Sequence, residues 1–283
     1  MPKYLIVNAD DFGFTRDVNA GIIEAFREGI LRATTLMANG EAFDDAVALA
    51  GENPGLDVGC HLVLVQGRSL ARPQAMLPAT VGELIRALAL RRLDPYRELR
   101  AQVERILKAG LRPAHLDTHK HTHLLPPVLE AVARLSAEFG IPWVRRPFDF
   151  ALHGVPVPWR VRAASRGMAI ARGWFGTVLA RNGCRSTDHF AGFQITGRFG
   201  TRELAALIRQ LPEGSTELMC HPGRCTAELR AARTRLKESR EAELEALKSS
   251  EVRRAIEEAG VRLRISPDYF GRGKPAASGG REF

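Results

Sequence analysis

The sequence predicts an α/β fold, an irregular (β/α) barrel of the TIM type that forms a single domain. Eight short apolar runs rich in β-branched residues alternate with longer amphipathic stretches along almost the whole chain. The length of 283 residues is typical of one such barrel, and no obvious internal boundary or repeat divides the chain. A doubly wound open sheet has a similar order of elements and is the alternative fold.

Each predicted strand is one of these apolar runs. The eight runs are residues 4–9, 34–38, 57–65, 114–118, 143–145, 187–191, 217–220 and 261–265. We expect the barrel domain to extend over residues 1–270. The composition of residues 271–283, rich in Gly, Ala, Ser and basic residues, predicts a disordered tail.

Helices fill the intervals between the strands. Thr15 is placed to cap the first helix, in which Val18, Ile22, Phe26 and Ile30 share one face.

The other clear helical segments carry start and stop signals. They are residues 84–93, 96–109, 126–139 and 238–259. Asp94 and Pro95 separate the first two segments, whereas Gly140 and Gly260 close the last two. We therefore expect residues 238–259 to form one long charged helix.

Composition indicates a soluble globular protein. Hydrophobic residues make up 45% of the chain and charged residues 26%. No apolar run approaches the roughly 20 residues that span a bilayer. The chain enters its first strand without a leader pattern, so we expect a cytoplasmic protein. Four cysteines that form no CxxC pair predict reduced thiols rather than disulfides.

The chain is basic, with a net charge of +9 and a pI near 9.9. Residues 145–198 hold nine arginines against Asp149 and Asp188. We favour a solvated arginine-rich exterior for this region, and contact with an anionic surface or substrate is the alternative. The pattern of apolar residues in 159–181 predicts one amphipathic helix. We favour a crossover helix packed on the barrel over a basic helix in contact with a membrane or an anionic lipid.

Four distant segments place Asp or His side chains where predicted strands end. Asp10 and Asp11 end the first strand, His61 lies within the third, and His221 follows the seventh. The fourth strand continues into a histidine-rich run, HLDTHKHTH, at residues 115–123. Active sites of parallel α/β folds gather at this end of the strands, so we expect a divalent metal there.

The histidine-rich run has a spacing suited to metal binding. Alternation along a strand puts His115, Asp117 and His119 on one face. Imidazole together with carboxylate suits Zn²⁺ and similar ions, and Asp117 could also orient a liganding histidine. His121 and His123 would curl into the loop that follows.

The adjacent carboxylates and the late histidine suggest a division of roles. One aspartate can bind the metal while its neighbour takes a proton from water. The alternative is a turn in which both aspartates cap the next helix. His221 is either a general acid for the leaving group or a turn residue. Cys60 and Cys220 precede candidate histidines, and strand alternation turns both into the core.

The four segments together resemble the YdjC-like carbohydrate deacetylases. The segments are NADDFG at residues 8–13, GCHL at 59–62, HLDTH at 115–119 and MCHP at 219–222. The resemblance runs from about residue 4 to residue 265. It implies an irregular (β/α) barrel that uses a divalent metal, Mg²⁺ or Zn²⁺, to remove an N-acetyl group from an amino sugar or glycolipid.

The resemblance also implies roles for single residues. Asp11, His61 and His119 would be the metal ligands, Asp10 the general base, and His221 the residue that protonates the departing amine.

The resemblance is uneven near the substrate. Lys120 stands where chitooligosaccharide deacetylases of the family tend to have His, so a chitobiose-like substrate fits less well. Residues 61–68 look closest to the hopanoid-biosynthesis-associated branch of the family. His123 is a second candidate for the proton donor.

Two other functions remain open at this stage. One is a barrel metallohydrolase that acts on a phosphoester or another amide. The other is a non-catalytic protein that binds an anionic ligand through its arginine-rich region. No RNA-binding motif or aromatic platform supports nucleic acid as a partner. Peripheral membrane contact is not favoured, and a homodimer is expected only from the family resemblance.

Overall fold

Eight parallel strands form the centre of the computed structural model, which describes residues 2–264. They are β1 (Lys3–Phe12), β2 (Ala33–Leu36), β3 (Asp57–Leu62), β4 (His115–Thr118), β5 (Trp143–Val144), β6 (His189–Ala191), β7 (Gly214–Cys220) and β8 (Val261–Leu263). All eight predicted strands are confirmed. The end of the last predicted strand, the domain limit at 270 and the predicted tail lie outside the described residues.

The strand order is that of an irregular barrel. Along the sheet the order is β5-β4-β3-β2-β1-β7-β6, and every pairing is parallel. The two end strands approach each other through the isolated bridges Trp143↔Arg185 and Asp149↔Phe190. β8 pairs with the beginning of β1. The predicted barrel is confirmed, and the order does not fit a doubly wound sheet.

Helices cover the outside of this sheet. They are α1 (Arg16–Glu28), α2 (Phe43–Glu52), α3 (Val81–Ala89), α4 (Pro95–Lys108), α5 (Pro126–Phe139), α6 (Trp159–Ala169), α7 (Arg172–Arg181), α8 (Thr201–Arg209), α9 (Ala227–Ala231), α10 (Glu238–Lys248) and α11 (Ser250–Glu258). A 3₁₀ helix, His119–Leu124, follows β4. No helix of the described residues is long and apolar enough to cross a membrane.

Local signals set several of these boundaries. The Thr15 hydroxyl accepts the Val18 N–H at the start of α1, and the Asp94 carboxylate accepts the Arg97 N–H at the start of α4. Gly140 ends α5 in the left-handed conformation with φ 65°. These three predicted boundaries are confirmed.

Two predicted helices are wrong because each is broken in the middle. Ser249 is extended and caps α11 by accepting the Glu251 N–H, so residues 238–259 form α10 and α11. Residues 159–181 form α6 and α7, with Gly167 and Gly173 close to the break. α7 buries apolar side chains as a crossover helix should, whereas α6 buries none.

Candidate metal centre and active-site cleft

The end of β1 carries an irregularity that brings two neighbouring aspartates into one cleft. Regular alternation would turn Asp10 and Asp11 to opposite faces. The register of β1 against β2 shifts between Ala9 and Phe12, and Asp11 adopts the left-handed region with φ 70°, which Asp tolerates better than most residues. Both carboxylates therefore line the same cleft, although they are only 3% and 4% exposed.

Asp11, His61 and His119 converge at the floor of this cleft. Asp11 Oδ1 lies 3.4 Å from His61 Nε2 and 3.2 Å from His119 Nδ1, and the two ring nitrogens are 3.2 Å apart. Ligand atoms of a tetrahedral zinc site with bonds of about 2.1 Å lie about 3.4 Å from one another. Asp11 Oδ1 is buried and accepts no well-aligned hydrogen bond from the described residues. The three atoms thus have the spacing and chemistry of a metal-binding group.

Asp117 orients His61 from behind. His61 pairs in register with Asp117 on β4, and Asp117 Oδ1 lies 2.7 Å from His61 Nδ1. With Nδ1 hydrogen-bonded to Asp117, Nε2 points toward Asp11 and His119, where it can carry either a proton or a metal ion. Burial lowers the pKa of His61, but Asp117 and Asp10 outweigh it and raise the pKa to about 10. This position therefore attracts positive charge.

Arg145, at the end of β5, binds a neighbouring group of carboxylates. Its guanidinium binds both oxygens of Asp10 at 2.7 Å, Asp117 Oδ2 at 2.6 Å and Glu217 Oε1 at 2.7 Å. Burial raises the pKa of Asp10, but Arg145 lowers it further, so the net pKa lies well below its usual value. Asp10, His61 and Asp117 also lie close enough to hold an ion, but Arg145 already occupies that place with a cation.

A second buried arginine holds the other oxygen of Asp11. Arg240 on α10 is 1% exposed and donates to Asp11 Oδ2 at 2.5 Å. One turn further along α10, the Glu243 carboxylate accepts the backbone N–H groups of His221 at 2.6 Å and Gly197 at 2.8 Å. Burial raises the pKa of Glu243 to about 7. α10 thereby fixes both Asp11 and the segment that carries His221.

His221 faces the cleft together with Asp10. The residue is 8% exposed, and Nδ1 has no hydrogen-bond partner among the described residues. Burial lowers the pKa of His221 to about 4, so the ring is neutral near pH 7. The structure thus places His221 in the same cleft as Asp10 and Asp11.

The remaining histidines of the run separate into different environments. The 3₁₀ helix passes through left-handed conformations at Lys120 and His121, with φ 56° and 51°, and both residues line the cleft. His123 is fully buried and contacts the Thr118 hydroxyl and the Arg145 carbonyl, so it does not line the cleft as a proton donor would.

His115 lies deeper in the barrel than the metal-binding group. It hydrogen-bonds Asn8 Oδ1 at 2.9 Å, and a Cβ atom at Gly59 would stand 2.6 Å from its ring. Strand alternation predicted the face of the strand on which His115 lies, but it did not predict that this side chain stays outside the cleft. Cys60 and Cys220 are buried in the core, as predicted, and burial raises the pKa of both thiols.

The cleft has a volume of about 800 Å³, within the range of small-molecule sites. Its wall includes the apolar residues Phe14, Phe193, Met219 and Leu236. Its rim includes the basic residues Lys120, Arg233, Arg235 and Lys237.

Sequence reasoning missed Arg145, Arg240 and Glu243. It grouped Arg145 with an arginine-rich exterior, but the residue is 3% exposed and its side chain binds three carboxylates. Arg145 does follow directly on the apolar run of β5, which is a weak signal of burial. Arg240 and Glu243 belong to a highly charged helix and give no local signal at all.

Comparisons with known proteins identify relatives of the chain. The model of the family described as "YdjC-like protein" matches residues 4–258. A carbohydrate deacetylase from Geobacillus stearothermophilus is 44% identical over 146 residues, which span 50% of this chain and only 59% of that protein. A chitooligosaccharide deacetylase from Salmonella typhimurium is 34% identical over 268 residues, or 93% of this chain and 97% of that protein.

A solved structure supports the fold. It is described as a putative cellobiose-phosphate cleavage protein from Enterococcus faecalis, and it superimposes with a TM-score of 0.71 at 24% identity. The match covers 93% of this chain and 97% of the other.

Proposed function

Because the chain belongs to the YdjC-like family, we propose that it is a metal-dependent carbohydrate deacetylase that removes an N-acetyl group from an amino sugar. The observation that carries the proposal is the convergence of Asp11, His61 and His119 on the floor of a sugar-sized cleft. The names of relatives aligned over nearly their whole length, chitooligosaccharide deacetylases, supply the reaction.

The donor set favours one class of ion. Asp11, His61 and His119 would hold the metal through one carboxylate oxygen and two imidazole nitrogens, which suit Zn²⁺ better than Mg²⁺, an ion that prefers oxygen ligands. When bound, such an ion supplies Lewis acidity toward the acetamide carbonyl and lowers the pKa of water.

Asp10 is the proposed general base. The two nitrogens of Arg145 and the Asn8 amide donate three hydrogen bonds to its carboxylate, and a carboxylate has about four acceptor positions. One position is therefore left to take a proton from water. Arg145 keeps Asp10 ionised and fixes its direction, while lowering its strength as a base.

His221 is the proposed proton donor to the departing amine. Hydrolysis consumes one water and yields acetate and the free amine, so the proton removed at Asp10 must finally reach the amine nitrogen. His221 lines the same cleft, and its Nδ1 has no hydrogen-bond partner within residues 2–264. Since burial keeps the ring neutral near pH 7, it has to receive a proton before it can donate one.

Acetate release from a panel of N-acetylated substrates tests the proposal. The panel contains GlcNAc, chitooligosaccharides and a GlcNAc-bearing glycolipid, each assayed with Zn²⁺ or Mg²⁺ and then with a chelator. We expect release that the chelator abolishes and that Asp10→Asn lowers. No acetate from any member, in protein shown to contain metal, would contradict the proposal, and phosphate release from phosphoesters would then favour the alternative hydrolase.

A further inference from the structure

α6 and the turn that follows it expose large apolar side chains beside arginines. Trp159 is 73% exposed, Ile170 86% and Trp174 39%. No residue of α6 is buried, whereas α7 buries Phe175 and Leu179. We call residues 159–174 the α6 surface. Met168 is half-buried against the core, but Trp159 and Ile170 are too exposed for packing within the chain to explain them.

The charge of this region has one sign. Residues 150–187 contain six arginines and no Asp or Glu. Arg160, Arg162 and Arg166 are exposed, and none of them forms an ion pair with a carboxylate of the described residues. The Arg160 guanidinium lies 5.3 Å from the centre of the Trp159 ring. Aromatic and basic groups are thus interleaved on the exposed side of one helix.

The α6 surface lies at the cleft end of the barrel. The Phe148 ring, just beyond β5, is 5.3 Å from the Phe175 ring of α7 and 5.6 Å from the Arg172 guanidinium. α7 therefore starts beside the end of β5 and makes the return crossing to β6. α6 is an added helix at the end where the strands finish, and that end carries the cleft.

We propose that the α6 surface docks on an anionic lipid bilayer. Trp159 and Ile170 enter the headgroup boundary, and the arginines contact lipid phosphates and carboxylates. A second copy of the chain fits poorly, because a two-fold contact would bring the same arginines face to face. A nucleic acid would pair with the arginines but would leave Ile170 exposed unless the duplex were kinked. The docking holds the cleft end of the barrel near the membrane plane.

Vesicle co-sedimentation of the full chain tests the proposal. The vesicles are pure phosphatidylcholine or equal parts phosphatidylserine and phosphatidylcholine. We expect binding to the anionic vesicles only, weakened by salt. Each arginine near such a surface is worth about 1 kcal/mol, so Arg160→Gln, Arg162→Gln and Arg166→Gln together should weaken binding on the order of 10²-fold.

A matched control removes the same charge elsewhere. Arg97→Gln, Arg112→Gln and Arg254→Gln change exposed arginines outside the α6 surface, and together they should weaken binding less than about threefold. Equal loss in both triple variants would overturn the proposal, as would equal binding to neutral vesicles.

Tryptophan fluorescence locates the contact independently. Trp143 is 6% exposed, whereas Trp159 is the most exposed tryptophan of the chain. Anionic vesicles should shift the emission to the blue, and Trp159→Ala should remove most of the shift while leaving the Tm unchanged. An unaltered shift in Trp159→Ala, or a concentration-dependent dimer that the same variant dissociates, would overturn the proposal.

Discussion

The two aspartates that end β1 lie in two different electrostatic regions. In the first region, Asp10 shares the buried guanidinium of Arg145 with two further carboxylates. In the second, Asp11 gives one oxygen to Arg240 and leaves Oδ1 facing two imidazole nitrogens. Arg145 binds both oxygens of Asp10, whereas Arg240 binds only Oδ2 of Asp11 and leaves Oδ1 without a hydrogen-bond partner among the described residues. The difference supports our proposal that the metal binds at Asp11 and that Asp10 takes the proton from water.

Asp11→Asn should have the largest effect because it removes the charged ligand. We expect loss of bound Zn²⁺ and a fall in kcat/KM on the order of 10³-fold or more, since an ion of this kind stabilises the transition state by several kcal/mol. Metal content by mass spectrometry and acetate release are measured on the same sample. Metal retained in Asp11→Asn would show that the Asp11 carboxylate is not needed to bind it and would contradict the difference between the two regions.

Asp10→Asn should distinguish the functions of the two regions most clearly. The variant keeps the shape of the side chain but loses the base, so kcat should fall on the order of 10²- to 10⁴-fold. The bound metal should remain, because the ligands in the Asp11 region are unchanged. Loss of metal here would place Asp10 among the ligands, and full activity would remove it from the mechanism.

Asp117→Asn tests the role of His61, the histidine that lies next to both regions. The carboxylate of Asp117 fixes the ring of His61 through Nδ1, and loss of such a partner typically costs 10- to 100-fold in metal affinity. Zn²⁺ affinity, measured by competition with a chromogenic chelator, should fall by that order. Thr35→Val is the control, since it removes only the hydroxyl that contacts Asp117 and His61. An unchanged affinity in Asp117→Asn would show that His61 needs no support.

Asp149 gives the smallest effect and tests what a buried carboxylate does without a guanidinium. Its oxygens accept the N–H groups of Phe193 and Gln194, and burial raises its pKa from 3.8 to about 6. Because the folded pKa lies above the unfolded value, this group favours folding fully below about pH 3.8 and loses that contribution as pH rises through 6. We expect a loss on the order of 2 kcal/mol.

Urea unfolding of the wild type and Asp149→Asn between pH 4 and about pH 7 measures that loss. The difference between the two proteins should change with pH in this window and level off above it. A pH-independent difference would mean that Asp149 is ionised in the folded state throughout, as Asp10 is.

The sequence predicted the strands, and the group of Asp and His side chains at their ends, because both follow local rules. A run such as β1 is apolar on both faces because parallel strands are covered on both sides. The ends of such strands meet at one edge, so Asp11, His61 and His119 could be expected together although they are far apart in sequence. The structure brings them within 3.4 Å of one another.

The arginines could not be predicted in the same way. Arg145 and Arg240 are buried because carboxylates from other segments pair with them. A local sequence pattern cannot predict a partner that lies about a hundred residues away or more. The breaks at Ser249 and between α6 and α7 depend on a cap and on tertiary packing. The helical periodicity of the sequence continues through both breaks, so periodicity alone predicted unbroken helices.

A crystal soaked with Zn²⁺ and recorded at the zinc absorption edge tests the central claim most directly. The account predicts one strong anomalous peak about 2.0–2.2 Å from Asp11 Oδ1, His61 Nε2 and His119 Nδ1, with Asp10 still bound to Arg145. A peak between Asp10 and Asp117, with Arg145 displaced, or no peak in the cleft at all, would contradict it.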